Sequence, residues 1–214
     1  MHIPKKFRQQ DMDLLKGVIR EYPFATLITH SEHGLNANHI PMLLSETSGG
    51  KDALHGHIAR ANPLWQEVPD QAEALVVFNG PHCYISPNHY PTKHETGKAV
   101  PTWNYIAVHV KGVISFVKER EWIHSMIDSL SREHERSEKQ PWSVSDAPLD
   151  YIQKMLPAVV GIEISITSIS GQWKLSQNQP EQNQTGVIKG LSAKESEQFQ
   201  SMARLIQKYT VNEC

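Results

Sequence analysis

The spacing of apolar residues divides the chain into several strand-like stretches and a few helical ones. Residues 159–169 give the clearest strand pattern, because Ile162, Ile164 and Ile166 alternate with polar residues as in a half-buried strand. An unbroken apolar run predicts a buried strand at 73–78. Further strands are predicted at 24–29, 35–44, 53–58 and 105–117, and residues 82–86 either extend the strand before them or pair with it.

Helical periodicity appears at both ends of the chain and between the predicted strands 105–117 and 159–169. Residues 11–22 place leucine, valine and isoleucine at helical spacing behind Asp11, a residue type that caps helix N-termini. Residues 119–135 are amphipathic, and a short helix is predicted near residue 151. Ser192 and Glu195 match a capping box and predict a last helix to about residue 209, whereas the Gln/Asn-rich segment 177–184 is expected to be exposed.

Six or seven strands joined mostly by short turns, with helices added at the ends, predict an α+β protein built on a small β-barrel. An open sandwich is the alternative. A doubly wound fold is not expected, because strands and helices do not alternate along the chain. A length of 214 residues suits a single domain over 1–214 with an N-terminal helix and a C-terminal helical extension.

Charge and composition exclude several classes of protein. A net charge of −2 and a pI near 6.6 give no general attraction to nucleic acid, so direct DNA binding is not expected. No apolar stretch approaches 18 residues, so no membrane span is expected. Two cysteines, Cys83 and Cys214, form no disulfide framework, and the N-terminus lacks the apolar core of a signal peptide. A cytoplasmic, reduced setting is therefore predicted.

The stretch 78–112 is too rich in rings and polar groups to be a plain connector. It contains four histidines, several aromatic residues and three lysines, and four prolines restrict its backbone. Aromatic rings offer stacking surfaces, while amides, imidazoles and lysines offer donors to an anionic heteroaromatic ligand. The alternative is a surface loop whose aromatic residues pack on the barrel or at a dimer seam.

A second constellation lies where the strand at 53–58 ends. His55 and His57 fall on one face of that strand, and Arg60 precedes a short helix opened by Asn62 and Pro63. Free N–H groups at a helix start and a guanidinium fork can converge on a phosphate. The alternative is that Asn62 only caps the helix and Arg60 is solvated.

Metal and nucleophile chemistry is less well supported. The twelve histidines show no tight Cys/His spacing, so no metal ligand is assigned. Cys83 follows His82 on a predicted strand without a nucleophile elbow, so it is interpreted as a core residue and no catalytic residue is assigned. Lys174 follows a strand and could reach across a dimer interface.

Six motifs together resemble the PaiB family, described as FMN-binding negative transcriptional regulators. They occur in order over nearly the whole chain. The motifs are PFAT at 23–26, HIARANP at 57–63, GPHCYISP at 80–87, VPTWNY at 100–105, PWS at 141–143 with Asp146, and WKLSQN at 173–178.

This resemblance implies the FMN-binding split β-barrel related to pyridoxamine phosphate oxidase, with appended helices. It also implies a homodimer with FMN between the subunits, and haem is the alternative cofactor because related split barrels bind haem. By the same resemblance, one strand exit cradles the FMN phosphate and other residues approach the ring. The residues implied in cofactor binding are His39, His57, Ile58, Arg60, Asn62, Lys93, Trp103, Asn104 and Lys174.

Two functions follow from the resemblance and must be kept apart. The family label implies a negative transcriptional regulator, yet no helix-turn-helix is evident in the sequence. The residues themselves favour a flavoprotein. We therefore expect an FMN-binding dimer that regulates through a redox or metabolite signal, with a flavin-dependent oxidoreductase or a haem-binding split barrel as alternatives.

Overall fold

A computed structural model describes residues 1–210 as an α+β protein, and this class is confirmed. Cys214 lies outside the described residues. The strands are β1 Arg8–Gln9, β2 Phe24–Ser31, β3 Gly34–Pro41, β4 Leu43–Glu46, β5 Asp52–Ala59, β6 Ala72–Ile85, β7 Thr102–Val117 and β8 Val159–Lys174. The helices are α1 Met12–Glu21, α2 Leu64–Glu67, α3 Pro91–Thr96, α4 Arg120–Glu135, α5 Leu149–Met155, α6 Glu181–Ser192 and α7 Glu197–Thr210. Among residues 1–210, no helix combines the length and apolar character needed to cross a membrane.

The chain divides into two compact units. The first unit comprises Met1–Leu15, Asn79–Val108 and the described residues from Ser170 onward, and the second comprises Lys16–Phe78 and His109–Ile169. The boundaries fall inside α1, β6, β7 and β8, so each unit contains part of these four elements. The single domain expected over 1–214 stays a prediction.

The second unit carries the sheet order β3-β2-β6-β7-β8-β5-β4. Its β2–β3 hairpin pairs Phe24 with Pro41, and β5 runs antiparallel to β8. Alternate residues of β2, β6 and β8 are buried on one face of the sheet. This burial explains why the sequence at 159–169 shows the period-2 pattern of a strand. The antiparallel ladders agree with the expectation that the fold is not doubly wound.

Helix α4 packs on β5 and β8 through Trp122, whose ring lies against His55 of β5 and faces a glycine of β8. A Cβ atom at Gly161 would lie 2.4 Å from the ring of Trp122, so only glycine leaves room for this ring. The buried residues Ile123, Met126 and Leu130 continue the same face of α4. The amphipathic helix predicted at 119–135 is confirmed.

In the first unit, β1 pairs antiparallel with the end of β8, and α6 packs against α7. Helix α6 also lies against the turn that contains His89. Cβ atoms at Gly186 and Gly190 would each lie 2.1 Å from an atom of His89, so these glycines allow the close approach.

The expectation that residues 82–86 extend the preceding strand is confirmed, because β6 continues to Ile85. The connector to β7 contains α3, a helix too short and polar to show a periodic pattern. Two other expectations for this unit are wrong. Segment 177–184 is not wholly exposed, because α6 begins at Glu181 and Asn183 in its first turn is 3% exposed. Ser192 ends α6 rather than opening the last helix, which begins at Glu197.

Candidate functional site

The segment that follows β5 is tied to the start of β8 through Arg60. Its main-chain N–H donates to Ala158 O at 2.8 Å, and its Nε and Nη2 donate to Pro157 O at 2.5 Å and Val159 O at 3.3 Å. Its guanidinium carbon lies 5.7 Å from the centre of the Trp65 ring. Two of the three guanidinium nitrogen atoms therefore bind carbonyl groups of this chain, and a phosphate contact by Arg60, still a prediction, would use Nη1.

Asn62 acts as a helix cap and also reaches a neighbouring strand. Its Oδ1 accepts the N–H of Leu64 at 3.0 Å, and its Nδ2 donates to Oδ1 of Asn38 at 2.8 Å. Sequence reasoning missed Asn38. His39 is the next residue of β3 and so points to the opposite face, where its ring lies 6.2 Å from that of Phe24.

The two histidines of β5 differ in their hydrogen bonding. His55 Nε2 lies 2.9 Å from a carboxylate oxygen of Glu163, and its ring packs edge-on against Trp122 at 4.9 Å. His57 is half-buried, its Nδ1 has no partner among the described residues, and burial lowers the pKa of its imidazole. Ile58 is buried on the other face of the strand. His57 is thus a neutral imidazole with an unused nitrogen.

Trp103 and Asn104 are neighbours in one motif but point to opposite faces of β7. Trp103 is 52% exposed, and its ring centre lies 6.2 Å from His82 and 6.3 Å from Tyr84, which is 42% exposed. Asn104 is 0% exposed. The motif therefore supplies an exposed aromatic cluster on one face and a buried amide on the other.

The buried amide of Asn104 opens onto a pocket of about 240 Å³ within the first unit. We call this cavity the Lys174 pocket. Phe7 and Tyr90 contribute part of its apolar wall. Its polar lining includes Lys6, Thr102, Asn104, Lys174, Ser176 and Asn178.

Hydrogen bonds hold the polar side chains of the Lys174 pocket in place. Lys174 Nζ donates to Oγ1 of Thr102 at 2.5 Å, and Nδ2 of Asn104 donates to Oγ of Ser176 at 2.8 Å. Burial lowers the pKa of the Lys174 ammonium. The Oδ1 atom of Asn104 has no partner among residues 1–210. The pocket thus holds a partly desolvated ammonium and an unused acceptor.

The nine residues expected to bind the cofactor fall into two groups. His39, His57, Ile58, Arg60 and Asn62 belong to the second unit, and Lys93, Trp103, Asn104 and Lys174 belong to the first. Of the four in the first unit, only Asn104 and Lys174 line the same pocket. Lys93 instead donates to Oδ1 of Asn88 at 2.5 Å.

Sequence reasoning also missed Ser176, Thr102 and Lys6. Ser176 stood inside the quoted WKLSQN motif, so the motif itself was the available signal. Its positive φ of 66° is rare outside glycine and leaves no trace in the sequence. Within residues 1–210, no group of three His, Cys, Asp or Glu side chains is placed to hold a metal ion.

Comparisons with known proteins agree with this architecture. A family model for a "Putative FMN-binding domain" matches residues 1–168. The chain is 31% identical over 211 residues to the protease synthase and sporulation protein PAI 2 of Bacillus subtilis (strain 168), covering 97% of each chain. The flavocytochrome Anf3 of Azotobacter vinelandii has a TM-score of 0.58 at 11% identity, covering 80% of this chain and 72% of that chain. The FAD and haem binding protein of Mycobacterium smegmatis has a TM-score of 0.55 at 13% identity, covering 78% and 73%.

The family match, the structural likenesses and the antiparallel sheet together support an FMN-binding split barrel, so the expected fold is confirmed. Within this class, the chain belongs to the FMN-binding domain family and to its PaiB group. The resemblance found in the sequence motifs is confirmed.

Proposed function

We propose that this protein is a cytoplasmic FMN-binding homodimer of the PaiB type that acts in negative transcriptional control through a redox or metabolite signal. The observation that carries FMN binding is the family match over residues 1–168. That range includes every residue expected to bind the cofactor except Lys174.

The exit of β5 is the proposed phosphate end of the FMN site. Arg60 keeps Nη1 for an anion after its two carbonyl contacts, and His57 has an unused ring nitrogen. Ile58, Asn62 and His39 belong to the same unit. Bound FMN would supply one- or two-electron redox chemistry.

In the first unit, Trp103 is the residue best suited to stack on the isoalloxazine, because its ring is half exposed. Lys93 stays in the proposal as a surface cation that can approach an anionic cofactor. Asn104 and Lys174 remain candidates for polar contacts with the ring, although the small volume of their pocket favours another ligand, as argued below.

The cofactor can be tested on freshly purified protein. We expect flavin absorbance bands, or quenching of FMN fluorescence on titration of the apoprotein with a dissociation constant in the micromolar range or below. Haem is the second candidate, since Anf3 is a flavocytochrome and His57 has an unused nitrogen that suits iron. A haem spectrum that disappears in His57→Ala, without flavin binding, would replace FMN by haem.

The homodimer is proposed because each unit exposes apolar surface. Trp103 and Val100 are 52% and 75% exposed in the first unit. The second unit has an apolar cleft of about 300 Å³ lined in part by Ile28, Leu35 and Leu75. Light scattering at micromolar concentration should give twice the 24.2 kDa chain mass, and a value near 24 kDa would contradict the proposal.

The regulatory part of the proposal depends on ligand sensing rather than on a DNA-reading helix. The net charge of −2 gives the chain no general affinity for DNA. A gel-shift titration at physiological salt should therefore show no tight operator complex. A sequence-specific dissociation constant on the order of 10⁻⁸ M or lower would contradict this expectation.

A further inference from the structure

The Lys174 pocket carries uncompensated positive charge. Lys6 and Lys174 both line it, and none of its lining residues in the described part of the chain is Asp or Glu. Lys174 is half-buried, and burial lowers the pKa of its ammonium, so an anion inside the pocket would stabilise the charged form. The charge of the lining therefore favours an anionic ligand.

The same pocket contains an acceptor that its own side chains do not use. Asn104 is 0% exposed and lines the pocket, and its Oδ1 has no partner within residues 1–210. Buried polar atoms are nearly always hydrogen-bonded in folded proteins, and the exceptions concentrate where a ligand or water completes the site. A ligand with an O–H or N–H group would satisfy this atom.

Two hydroxyl groups of the pocket are free to donate. Thr102 accepts from Lys174, and Ser176 accepts from Asn104, so each hydroxyl keeps its own hydrogen for another partner. Ser176 is 3% exposed and has a φ of 66°, a conformation that is costly for serine. Such residues concentrate at ligand sites, where the surrounding structure holds them.

The volume of the pocket limits the size of its ligand. About 240 Å³ is below the roughly 300–1,000 Å³ of pockets that hold drug-sized molecules. We propose that the Lys174 pocket binds a compact carboxylate or phosphate anion that also carries a hydroxyl or amino group. The anion lies between Lys6 and Lys174, and its donor group binds Oδ1 of Asn104.

Anion binding in the Lys174 pocket is an alternative to the proposed contacts of Asn104 and Lys174 with the flavin ring, and it does not depend on FMN binding elsewhere in the protein. Lys174, Ser176 and Asn178 lie after residue 168, where the match to the FMN-binding domain ends. The proposal would give a PaiB-type protein a pocket for a small anionic metabolite alongside its flavin. Failure of FMN binding and failure of anion binding can therefore be observed independently.

Shift titrations of the ¹⁵N-labelled full chain with glycolate, acetate and inorganic phosphate test the proposal. Glycolate and acetate share a carboxylate, but only glycolate has a hydroxyl for Asn104. We expect glycolate to bind about 2- to 10-fold more tightly than acetate, because the free energy of one additional hydrogen bond corresponds to that ratio of dissociation constants. It should also shift the side-chain amide signals of Asn104. The phosphate titration shows which of the two anion classes the pocket prefers.

Substitutions identify the groups responsible. Lys174→Met should weaken glycolate binding about 10- to 100-fold, the effect of losing one charge-assisted hydrogen bond. Lys189→Met is the matched control, because Lys189 is an exposed lysine of α6 in the same unit. Asn104→Ala should remove the preference for glycolate over acetate. If Lys174→Met does not fold, Lys6→Met should still weaken glycolate about 2- to 5-fold.

Three outcomes would overturn the proposal. In the first, none of the three anions shifts signals of pocket residues at millimolar concentration. In the second, Lys174→Met and Lys189→Met have the same effect on glycolate. In the third, FMN displaces glycolate competitively, which would make the pocket part of the flavin site.

Discussion

Replacing Arg60 separates its structural role from cofactor binding. The side chain makes two hydrogen bonds to the carbonyl groups of Pro157 and Val159, and one nitrogen remains for a phosphate. Arg60→Ala removes both hydrogen bonds to carbonyl groups and the proposed phosphate contact at once. Arg60→Lys keeps the charge but not the planar fork, so the single ammonium nitrogen cannot reproduce the spaced contacts to two carbonyl groups and a phosphate.

The magnitudes follow from these contacts. Hydrogen bonds with a charged partner contribute about 1.5–3 kcal/mol each, but Arg60 is half-exposed and its bond to Val159 is long at 3.3 Å. We expect Arg60→Ala to lower the unfolding free energy by about 1–3 kcal/mol. Loss of a charge-assisted phosphate contact should raise the FMN dissociation constant about 10- to 150-fold. Arg60→Lys should lie between Arg60→Ala and the unmodified protein in both measurements.

Parallel fluorescence titrations with FMN and riboflavin provide the assay. Riboflavin lacks the phosphate, so its weaker binding should change little in Arg60→Ala if Arg60 binds that group. Arg136→Ala is the matched control, since Arg136 is exposed and its side chain pairs, within residues 1–210, with Glu133 alone. Equal losses of affinity for FMN and riboflavin, or unchanged FMN affinity in a destabilised protein, would show that Arg60 has only the structural role of connecting β5 to β8.

Two further predictions concern stability. Gly190→Ala should lower the unfolding free energy in urea by about 1–2 kcal/mol, because its Cβ would lie 2.1 Å from Nδ1 of His89. Gly17→Ala, with nothing within 4 Å of its Cβ, should instead be neutral or stabilising. Burial lowers the folded-state pKa of His57, so the unfolded state binds protons more readily. The stability that this residue contributes is complete above the unfolded pKa of 6.5 and is lost as the pH falls toward the folded pKa. Tm should therefore decrease between about pH 7.5 and 5.5. The decrease should be less steep in His57→Gln. Equal slopes in both proteins would contradict this account.

Elements with strong local signals were predictable. Asp11 caps α1 as expected, accepting from the N–H groups of Asp13 and Leu14 at 2.9 and 3.2 Å. Strand β8 was predicted to end near residue 169 but continues to Lys174. Its last residues belong to the first unit and are buried without the alternation of apolar and polar residues on which the prediction depended.

Helix α6 was missed for a tertiary reason. Two glycines lower its intrinsic helix propensity and leave few apolar positions, so the sequence pattern indicated a polar loop. The structure explains the glycines through close contact with His89. Packing against a distant turn therefore stabilises a helix that its own sequence does not favour.

Residue types in the candidate sites were easier to predict than their contacts. Asn62 contacts Asn38, which was not predicted, whereas the candidate His39 is the next residue of the strand and occupies its other face. Residue type alone also cannot show that Asn104 Nδ2 donates to Ser176 while its Oδ1 has no partner among residues 1–210. Contacts of this kind depend on segments far apart in the chain.

The alternation of β7 separates two surfaces that a motif-based interpretation would combine. Trp103 points outward beside His82 and Tyr84, and Asn104 points into the Lys174 pocket. A ligand stacked on the exposed ring is on the opposite side of the strand from one bound to the buried amide. A small anion bound to Asn104 and a flavin or partner subunit bound to Trp103 would therefore contact opposite faces of β7. Such an arrangement would let a metabolite in the pocket alter the outer surface without competing for it.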